Sequence, residues 1–267
     1  MQRSFLFILL LPLLLFSCSP KIGSTRKGKD GMILLYVPAG EFTMGSEFYD
    51  DEQPIHTVYL DAFWIDQTEV TVHMYSMCVE AGVCVEPENI SSFTRLSYYG
   101  NSEFDNYPVI YVSWNMAKSY CEWVGRRLPT EAEWEKAARG TDGRTYPWGE
   151  KINCSLANYW DGSDRCGNDT TKVGSYLGGA SIYGALDMAG NVWEYVNDWY
   201  SETYYFNSPT SNPLGPESGQ YRVVRGGSWF DWDDVVRSTF RSWVTPVGGD
   251  YSATDNQGFR CAISATP

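Results

Sequence analysis

Residues 107–140 read YPVIYVSWNMAKSYCEWVGRRLPTEAEWEKAARG and contain the two clearest helix signals of this 267-residue chain. Ser113 is a residue type that caps helix N-termini, and apolar residues follow it at helical spacing until Gly125. Thr130, with Glu three residues later, has the pattern of a capping box, and Gly140 stands where a C-cap is expected. The stretch therefore predicts two consecutive helices, one ending near Gly125 and the next at Gly140.

Outside these helices the chain is rich in residues that interrupt regular structure. It has 25 Gly and 13 Pro, so few long elements can form. A third helix is predicted within residues 70–82, and short strands are predicted within residues 33–45, 56–70 and 221–229. These patterns indicate an α+β fold with few helices, short strands and much irregular backbone.

The N-terminus has the pattern of an export signal. Residues 1–17 are almost entirely apolar after one Arg, a run too short for an ordinary membrane span, and Leu15-Phe16-Ser17-Cys18 resembles a bacterial lipobox. We expect lipidation at Cys18, a flexible linker over residues 18–31, and one domain over residues 32–267. The protein is then exported and lipid-anchored to the cell envelope, at the cell surface or in the periplasm. An ordinary signal peptide is the alternative.

The charge balance excludes one class of partner. The chain has 20 basic and 33 acidic residues; without the signal and linker, which hold five basic residues and one acidic residue, the domain is near −17. Such a domain is not expected to bind nucleic acid, because it would repel the phosphate backbone. The acidic composition suits an exported protein that holds Ca²⁺ through carboxylates.

Seven cysteines minus Cys18 leave an even number, which predicts disulfides in an exported protein. Two pairs bracket short loops, and the third would join the middle of the chain to its C-terminus. The expected pairs are Cys78 with Cys84, Cys154 with Cys166, and Cys121 with Cys261. If all three form, the domain retains no free thiol.

Seven motifs in order along the domain resemble those of the formylglycine-generating enzyme (sulfatase-modifying factor) family. They are VPAGEFTMGS, DEQPIHTVYLDAFWIDQTEVT, the stretch quoted above, YPWG, GALDMAGNVWEYVNDWY, RVVRGGSW and NQGFRCA. The resemblance covers about residues 32–264. It implies the family's C-type-lectin-like fold, with little regular secondary structure.

The resemblance also implies structural Ca²⁺ sites. In the motif DMAGNVWE, the ligands carried over are the side chains of Asp187 and Glu194 and the carbonyls of Gly190 and Val192, a mixture that suits this hard cation. A second family site begins at Asn158 and the carbonyl of Tyr159. Its remaining candidates, Asp164 and Asp169, lie in a loop where the alignment is loose, and both could equally be ordinary loop residues.

The family's oxidases use two Cys just after the GGSW-like motif to bind copper, and soft thiolates are the ligands that Cu(I) prefers. Here residues 226–260 contain no Cys, and Asp231 with Asp233 or Val236 stand nearest the expected positions. Copper is therefore not expected, and the oxidase activity is disfavoured. A related branch binds iron through three His, but this chain has only His56 and His73. His56 is interpreted as a structural hydrogen-bonding residue.

The segment Arg225–Trp243, RGGSWFDWDDVVRSTFRSW, is then interpreted as a binding face. Some members of this fold display side chains for binding between RGGSW and GFR, and aromatic and Asp side chains are typical of such faces. The expected ligand-binding residues are Phe230, Asp231, Asp233, Phe240 and Tyr251, accompanied by Asp234, Thr239 and Ser242. The expected buried scaffold is Arg225, Trp229, Arg237, Arg241 and Phe259, and Trp232 and Trp243 are also expected to be mostly core.

The sequence therefore predicts a surface-anchored lipoprotein whose domain is a non-catalytic binding module. Its ligand would be a protein or a small molecule or glycan, which the residues do not distinguish. One alternative is a formylglycine-generating oxidase that modifies a sulfatase cysteine. A second is a structural component of the envelope.

Overall fold

A computed structural model describes residues 20–163, 165–246 and 253–265. Within these ranges the chain forms an α+β domain with three α-helices and ten short strands, which confirms the predicted fold class. The helices are α1 (Val72–Glu80), α2 (Trp114–Trp123) and α3 (Glu131–Arg139). The strands, in chain order, are β1 (Thr25–Lys27), β2 (Ile33–Val37), β3 (Gly40–Met44), β4 (His56–Leu60), β5 (Phe63–Asp66), β6 (Trp193–Trp199), β7 (Arg222–Arg225), β8 (Ser242–Val244), β9 (Gln257–Phe259) and β10 (Ala262–Ser264).

The helices begin where the sequence predicts. The side chains of Thr71, Ser113 and Thr130 each accept a hydrogen bond from the backbone amide three residues later. At α3 the capping box is complete, because Glu133 accepts the Thr130 amide in return at 2.8 Å. These local hydrogen bonds fix the three helix N-termini.

The strands form two four-stranded sheets and one hairpin. The first sheet has the order β1-β2-β5-β10 and the second has the order β8-β7-β6-β9, while β3 and β4 pair alone. In the second sheet β6 runs parallel to β9, with Trp193 opposite Gln257. This pairing brings the C-terminal segment beside a strand more than 60 residues earlier in the chain.

Strands β6, β7 and β9 of the second sheet are mostly buried on both faces. Because successive strand residues point to opposite faces, Val196 and Val223 pack with Trp134 of α3, while Tyr195 and Val224 pack with the cluster that contains α1 and α2. Helix α3 is buried along its whole length although five of its residues are charged. The sheet and its helices therefore form a rigid support for the loops at their ends.

All three predicted disulfides are formed. Cys78 bonds to Cys84, Cys154 to Cys166, and Cys121 to Cys261 across 140 residues. The last bond lies in the core, with both cysteines fully buried. Each cysteine of the domain is thus used in a disulfide.

The linker predicted over residues 18–31 is partly wrong. Thr25–Lys27 form the edge strand β1, which pairs antiparallel with β2. Asp30 is buried against Arg126 and accepts a hydrogen bond from Tyr120 at 2.8 Å. These contacts order the segment, so the folded domain begins well before residue 32. Among the described residues, none of the helices combines the length and apolar character that crossing a membrane requires.

Candidate functional site

The segment that follows β7 is turned by two glycines with left-handed backbone, Gly226 (φ 93°) and Gly227 (φ 68°). A Cβ on Gly227 would lie 2.6 Å from Cγ1 of Val236, so the turn requires glycine there. Val236 is completely buried against this turn. One of the positions nearest the family's copper thiols is therefore a core residue.

The three arginines of this segment are buried and form ion pairs with Glu side chains, which agrees with the scaffold role that the sequence predicts. Arg225 bonds to Glu131 (3.0 Å) and Glu135 (2.6 Å) of α3. Arg237 bonds to Glu52 at 2.8 Å, and Arg241 bonds to Glu131 at 2.7 Å. Trp229 and Phe259 are buried with them. Removing one partner from such a pair would leave a buried charge uncompensated, which makes this support costly to deform.

Asp231 is held at the beginning of the segment. Its carboxylate accepts hydrogen bonds from the amide (3.0 Å) and the hydroxyl of Ser228. Burial raises the pKa of Asp231, while the hydrogen bonds from Ser228 and the Trp193 side chain oppose that rise. The side chain is oriented by its neighbours and faces an open cleft.

This cleft has a volume of about 600 Å³, within the range of small-molecule sites. We name it the Asp231 cleft. Its lining residues are Trp193, Tyr221, Val224, Asp231, Ser242, Trp243, Val244, Thr245, Thr254, Asn256 and Gln257. Trp243 packs on Tyr221 with 4.1 Å between ring centroids, yet 47% of its surface remains exposed. Aromatic surface and neutral polar groups dominate the walls.

A second, shallower pocket of about 330 Å³ adjoins the first through Thr254 and Asn256. Phe230 lines it together with Phe93 and Trp229 and is 43% exposed. Its remaining lining residue is Asp255, whose pKa is raised by burial. Among the described residues that line the two pockets there are two carboxylates and no Lys or Arg.

The structure brings together only part of the predicted ligand-binding set. Phe230 and Asp231 line the two adjoining pockets. Asp233 is exposed but lines neither of them, and half-buried Phe240 packs on Tyr49 and Trp193 instead. Tyr251 lies outside the described residues.

Three further expectations about this segment are wrong. Thr239 is buried, and its hydroxyl accepts a hydrogen bond from the Arg237 guanidinium at 2.8 Å, so it is not available on a binding face. Trp232 and Trp243, expected in the core, are 46% and 47% exposed. Trp232 stacks on Trp160 with 4.2 Å between ring centroids, so it covers a neighbouring loop rather than entering the core.

The sequence interpretation missed several cleft residues. Trp193 comes from the motif DMAGNVWE, while Asn256 and Gln257 come from NQGFR. Those motifs were interpreted only for metal binding and for the family resemblance. The parallel pairing of Trp193 with Gln257 is what places the two motifs beside Asp231.

The Asp187–Glu194 loop fits the expected Ca²⁺ ligand set only in part. Both carboxylate oxygens of Glu194 accept hydrogen bonds from Arg260 at 2.6 Å, and one also accepts from Trp134. Asp187 accepts the Gly174 amide at 2.6 Å and hydrogen-bonds to Glu69. In the described ranges, three or more His, Cys, Asp or Glu side chains do not gather where they could hold a metal ion.

Among the described residues of this region, Oδ1 of Asn158 is buried without a hydrogen-bond partner. Glu69 is also buried, and its carboxyl is hydrogen-bonded to Asp187. Burial raises the pKa of Glu69 well above its ordinary value, and nearby Asp187 raises it further. Asn158 lies where the second family site begins, so its free oxygen suits a Ca²⁺ ligand.

The other candidates of that second site are engaged or undescribed. Asp169 accepts hydrogen bonds from Ser92 and Thr94 and pairs with Arg95 at 3.1 Å. Asp164 lies outside the described residues. The Tyr159 ring is buried, and its carbonyl accepts the Cys166 amide at 2.9 Å. The Ca²⁺ assignment therefore remains a prediction, with Asn158 as its best-placed ligand.

His56 has the structural role that the sequence predicts. Its Nδ1 donates a hydrogen bond to the Pro54 carbonyl at 2.8 Å, and its ring packs on Tyr205. These contacts hold the start of β4.

Curated relatives include formylglycine-generating enzymes, protein kinases and a protein that is named inactive. The formylglycine-generating enzyme of Streptomyces coelicolor is 36% identical, over 86% of this chain and 88% of that protein. The serine/threonine-protein kinase Pkn1 of Chlamydia trachomatis is 38% identical, but the chain spans only 38% of its length. The mouse protein named inactive C-alpha-formylglycine-generating enzyme 2 is 33% identical, over 87% of this chain and 86% of that protein.

Solved structures share the fold. PvdO from Pseudomonas aeruginosa superposes with a TM-score of 0.76 at 28% identity and covers 92% of this chain and 100% of that one. Treponema denticola variable protein 1 has a TM-score of 0.73 at 25% identity, with coverage of 90% and 98%. The model of the sulfatase-modifying factor enzyme 1-like domain matches residues 21–265. The chain belongs to this family of formylglycine-generating-enzyme-like domains.

Proposed function

We propose that this protein is a surface-anchored lipoprotein whose domain binds a ligand in the Asp231 cleft without catalysing the family's oxidation. The observation that carries the proposal is the chemistry of the cleft. It lies after the GGSW motif, where the family's oxidases keep their copper thiols, and here Asp231 and buried Val236 stand nearest those positions. The six domain cysteines are all in disulfides, so none is free to replace those thiols.

The walls of the cleft favour binding. Trp193, Tyr221 and Trp243 offer aromatic area that is ordered at low entropy cost, and Asn256 and Gln257 offer amides for hydrogen bonds. The described lining of the Asp231 cleft has one carboxylate and no cation, which favours an uncharged or positively charged ligand there. The adjoining pocket differs, because the Arg165 guanidinium lies 4.3 Å from the Phe230 ring centroid. A neutral oligosaccharide or an amine-bearing ligand fits the Asp231 cleft.

Relatives support a role outside catalysis. One carries the word inactive in its name, and in the Chlamydia kinase the matched region is 38% of a longer protein. Both fit the use of this domain as a binding module. The anchoring part of the proposal rests on the apolar residues 1–17 and on Cys18, together with the disulfides, which suit an exported protein.

The proposal is tested by ligand binding to the purified domain, residues 20–267. Neutral oligosaccharides and primary amines are titrated while tryptophan fluorescence is recorded, because two cleft tryptophans would report contact. Trp243→Ala in the Asp231 cleft and Phe230→Ala in the adjoining pocket should weaken binding by about tenfold or more and change stability by less than about 1 kcal/mol, since both side chains are substantially exposed. Phe206→Ala is the matched control, because Phe206 is 63% exposed and lines neither cleft pocket.

Loss of binding only in the cleft variants supports the proposal. Equal affinity in Phe206→Ala, Phe230→Ala and Trp243→Ala rejects this cleft as the site. The alternative, a formylglycine-generating oxidase, is favoured by 36% identity to such an enzyme. Aldehyde formation on a cysteine peptide would establish it.

A further inference from the structure

Arg222, at the start of β7, lies between two tryptophan rings. Its guanidinium carbon is 3.7 Å from the ring centroid of Trp114 and 3.5 Å from that of Trp199. Nη1 donates to the Asn197 carbonyl at 2.6 Å, while Nε is buried without a hydrogen-bond partner. The two faces of the guanidinium are covered by the tryptophan rings, but its N–H donors are only partly hydrogen-bonded.

Arg222 is half-buried and, unlike the buried arginines of the described chain, has no carboxylate partner. Those that do pair within 4.0 Å of Asp or Glu are Arg126, Arg139, Arg225, Arg237, Arg241 and Arg260. The difference is unexpected in a chain with 33 acidic and 20 basic residues. A partly buried cation is therefore left without a counter-charge.

The nearest acidic influence on Arg222 is Asp198, and it does not supply that charge at neutral pH. Burial raises the pKa of Asp198 to about 8, so its carboxyl is mostly protonated at pH 7. Burial lowers the pKa of Arg222 to about 10, which still leaves the guanidinium charged. The geometry agrees: the Arg222 guanidinium stacks between two Trp rings and hydrogen-bonds to a backbone carbonyl, and among the described residues it forms no ion pair with a carboxylate.

Arg222 lines a pocket of about 520 Å³, which we name the Arg222 pocket. A second cation, Lys118 of α2, lines it too; its Nζ is 5.7 Å from the Trp114 ring and only 3.7 Å from exposed Glu122, an ion pair of little strength. The walls also include Trp114, Trp199, Pro209, Leu214, Pro216 and Glu217. The pocket shares no lining residue with the Asp231 cleft.

We propose that the Arg222 pocket binds a small organic monocarboxylate. The carboxylate would accept a hydrogen bond from the part of the Arg222 guanidinium that faces the pocket and would pair with Lys118, so the ligand would supply the negative charge that Arg222 lacks as a direct partner. Its apolar part would pack on the Trp, Pro and Leu side chains of the walls. Glu217 on the same lining disfavours ions of higher negative charge, such as phosphate. This site is independent of the function proposed for the Asp231 cleft.

The test titrates the purified domain with sodium benzoate by calorimetry at low ionic strength, with benzamide as the uncharged analogue and inorganic phosphate as the alternative anion. Benzoate should bind in saturable fashion. Benzamide should bind at least about tenfold more weakly because it lacks the charge, and phosphate should do so because Glu217 repels its higher charge. Arg222→Gln should weaken benzoate binding by about tenfold or more. Lys118→Gln should weaken it by about two- to fivefold, the effect of an exposed charge.

Lys151→Gln removes the same charge from an exposed residue that does not line the pocket and should leave affinity within about twofold. Circular dichroism shows whether the Arg222→Gln variant remains folded. If it does not, the proposal is tested by comparing the Lys118→Gln and Lys151→Gln variants and by comparing benzoate with benzamide. Benzamide or phosphate binding as tightly as benzoate overturns the proposal. So does equal affinity in the Lys118 and Lys151 variants, or no benzoate binding up to about 10 mM, the weak limit for so small a ligand.

Discussion

The carboxylate of Asp231 is bound to Ser228, three residues earlier, through both the backbone amide at 3.0 Å and the hydroxyl. The same hydroxyl accepts the Phe230 amide at 3.3 Å and a hydrogen bond from Asn256 at 3.2 Å. Ser228 thus joins the two ends of the segment that borders the cleft. Asp231 has a structural role in the turn as well as a place on the cleft wall.

Replacing Asp231 should separate these two roles. Asp231→Ala leaves the Ser228 amide without its acceptor and should lower the free energy of unfolding by about 1–3 kcal/mol. Asp231→Asn keeps an acceptor oxygen and should cost less. Asp233→Ala, an exposed neighbour, should cost under about 0.5 kcal/mol. Urea denaturation measures all three, and an equal loss for Asp231→Ala and Asp233→Ala would show that the Ser228 contacts contribute nothing.

Asp198 should make stability depend on pH. Burial raises its pKa to about 8, against about 4 in the unfolded chain. Between these values the folded state holds one proton more, so this group's contribution to stability falls as pH rises, by at most about 1.4 kcal/mol per unit. The contribution of Asp198 to stability is fully present below about pH 4 and is lost as the pH rises through about 8.

Asp198→Asn removes this titration. The unfolding free energy of the variant minus that of the wild type should therefore increase from pH 5 to pH 8. Urea denaturation at several pH values measures it. Parallel pH curves for the two proteins would contradict the assignment of a buried, protonated Asp198.

Each disulfide should contribute to the free energy of unfolding according to the length of the loop that it closes. Cys121→Ala with Cys261→Ala opens a loop of 140 residues and should cost about 5 kcal/mol in the chain-entropy model. Cys78→Ala with Cys84→Ala opens a loop of six and should cost about 2 kcal/mol. Denaturant midpoints of the two double variants give the comparison. If the short-loop variant is the less stable one, local packing rather than loop length determines the effect.

Calcium should stabilise the domain through Asn158, whose Oδ1 is buried without a partner. At about one hundred times its Kd, Ca²⁺ would add about 2.7 kcal/mol, and EDTA should lower the melting temperature by about 5–10 °C. Asn158→Ala should reduce this response, whereas Asn207→Ala, an exposed residue, should retain it. An EDTA response that is unchanged in Asn158→Ala would remove Asn158 from the ligand set.

The helices were predictable from the sequence because their signals are local. Ser113 and Thr130 lie three residues from the amides that they cap. Strand β6 was missed because most of its residues are buried on both faces, so the alternation that marks a half-buried strand is absent. The overall fold was predicted from the motifs that resemble the family, because local sequence patterns did not indicate how the strands are arranged.

The cleft was predictable only where its residues follow one another in the chain. Phe230 and Asp231 were identified because they belong to one segment. Trp193 and Gln257 reach the cleft through a parallel strand pairing between distant motifs, which a single sequence does not specify. Trp232 and Trp243 were misassigned to the core, because hydrophobic character alone does not indicate which aromatic side chains a loop leaves exposed.

The central claim, binding without oxidation, is tested most directly by incubating the domain with Cu(I), oxygen and a cysteine-containing sulfatase peptide and measuring the peptide by mass spectrometry. The formylglycine-generating enzyme of Streptomyces coelicolor is the positive control. Asp231 of the cleft and buried Val236 stand near the positions of the thiols, and the domain cysteines are in disulfides. The account predicts that the peptide keeps its thiol and that Cu(I) binds no tighter than in an Asp231→Ala variant. Conversion of the peptide cysteine to the aldehyde would contradict it.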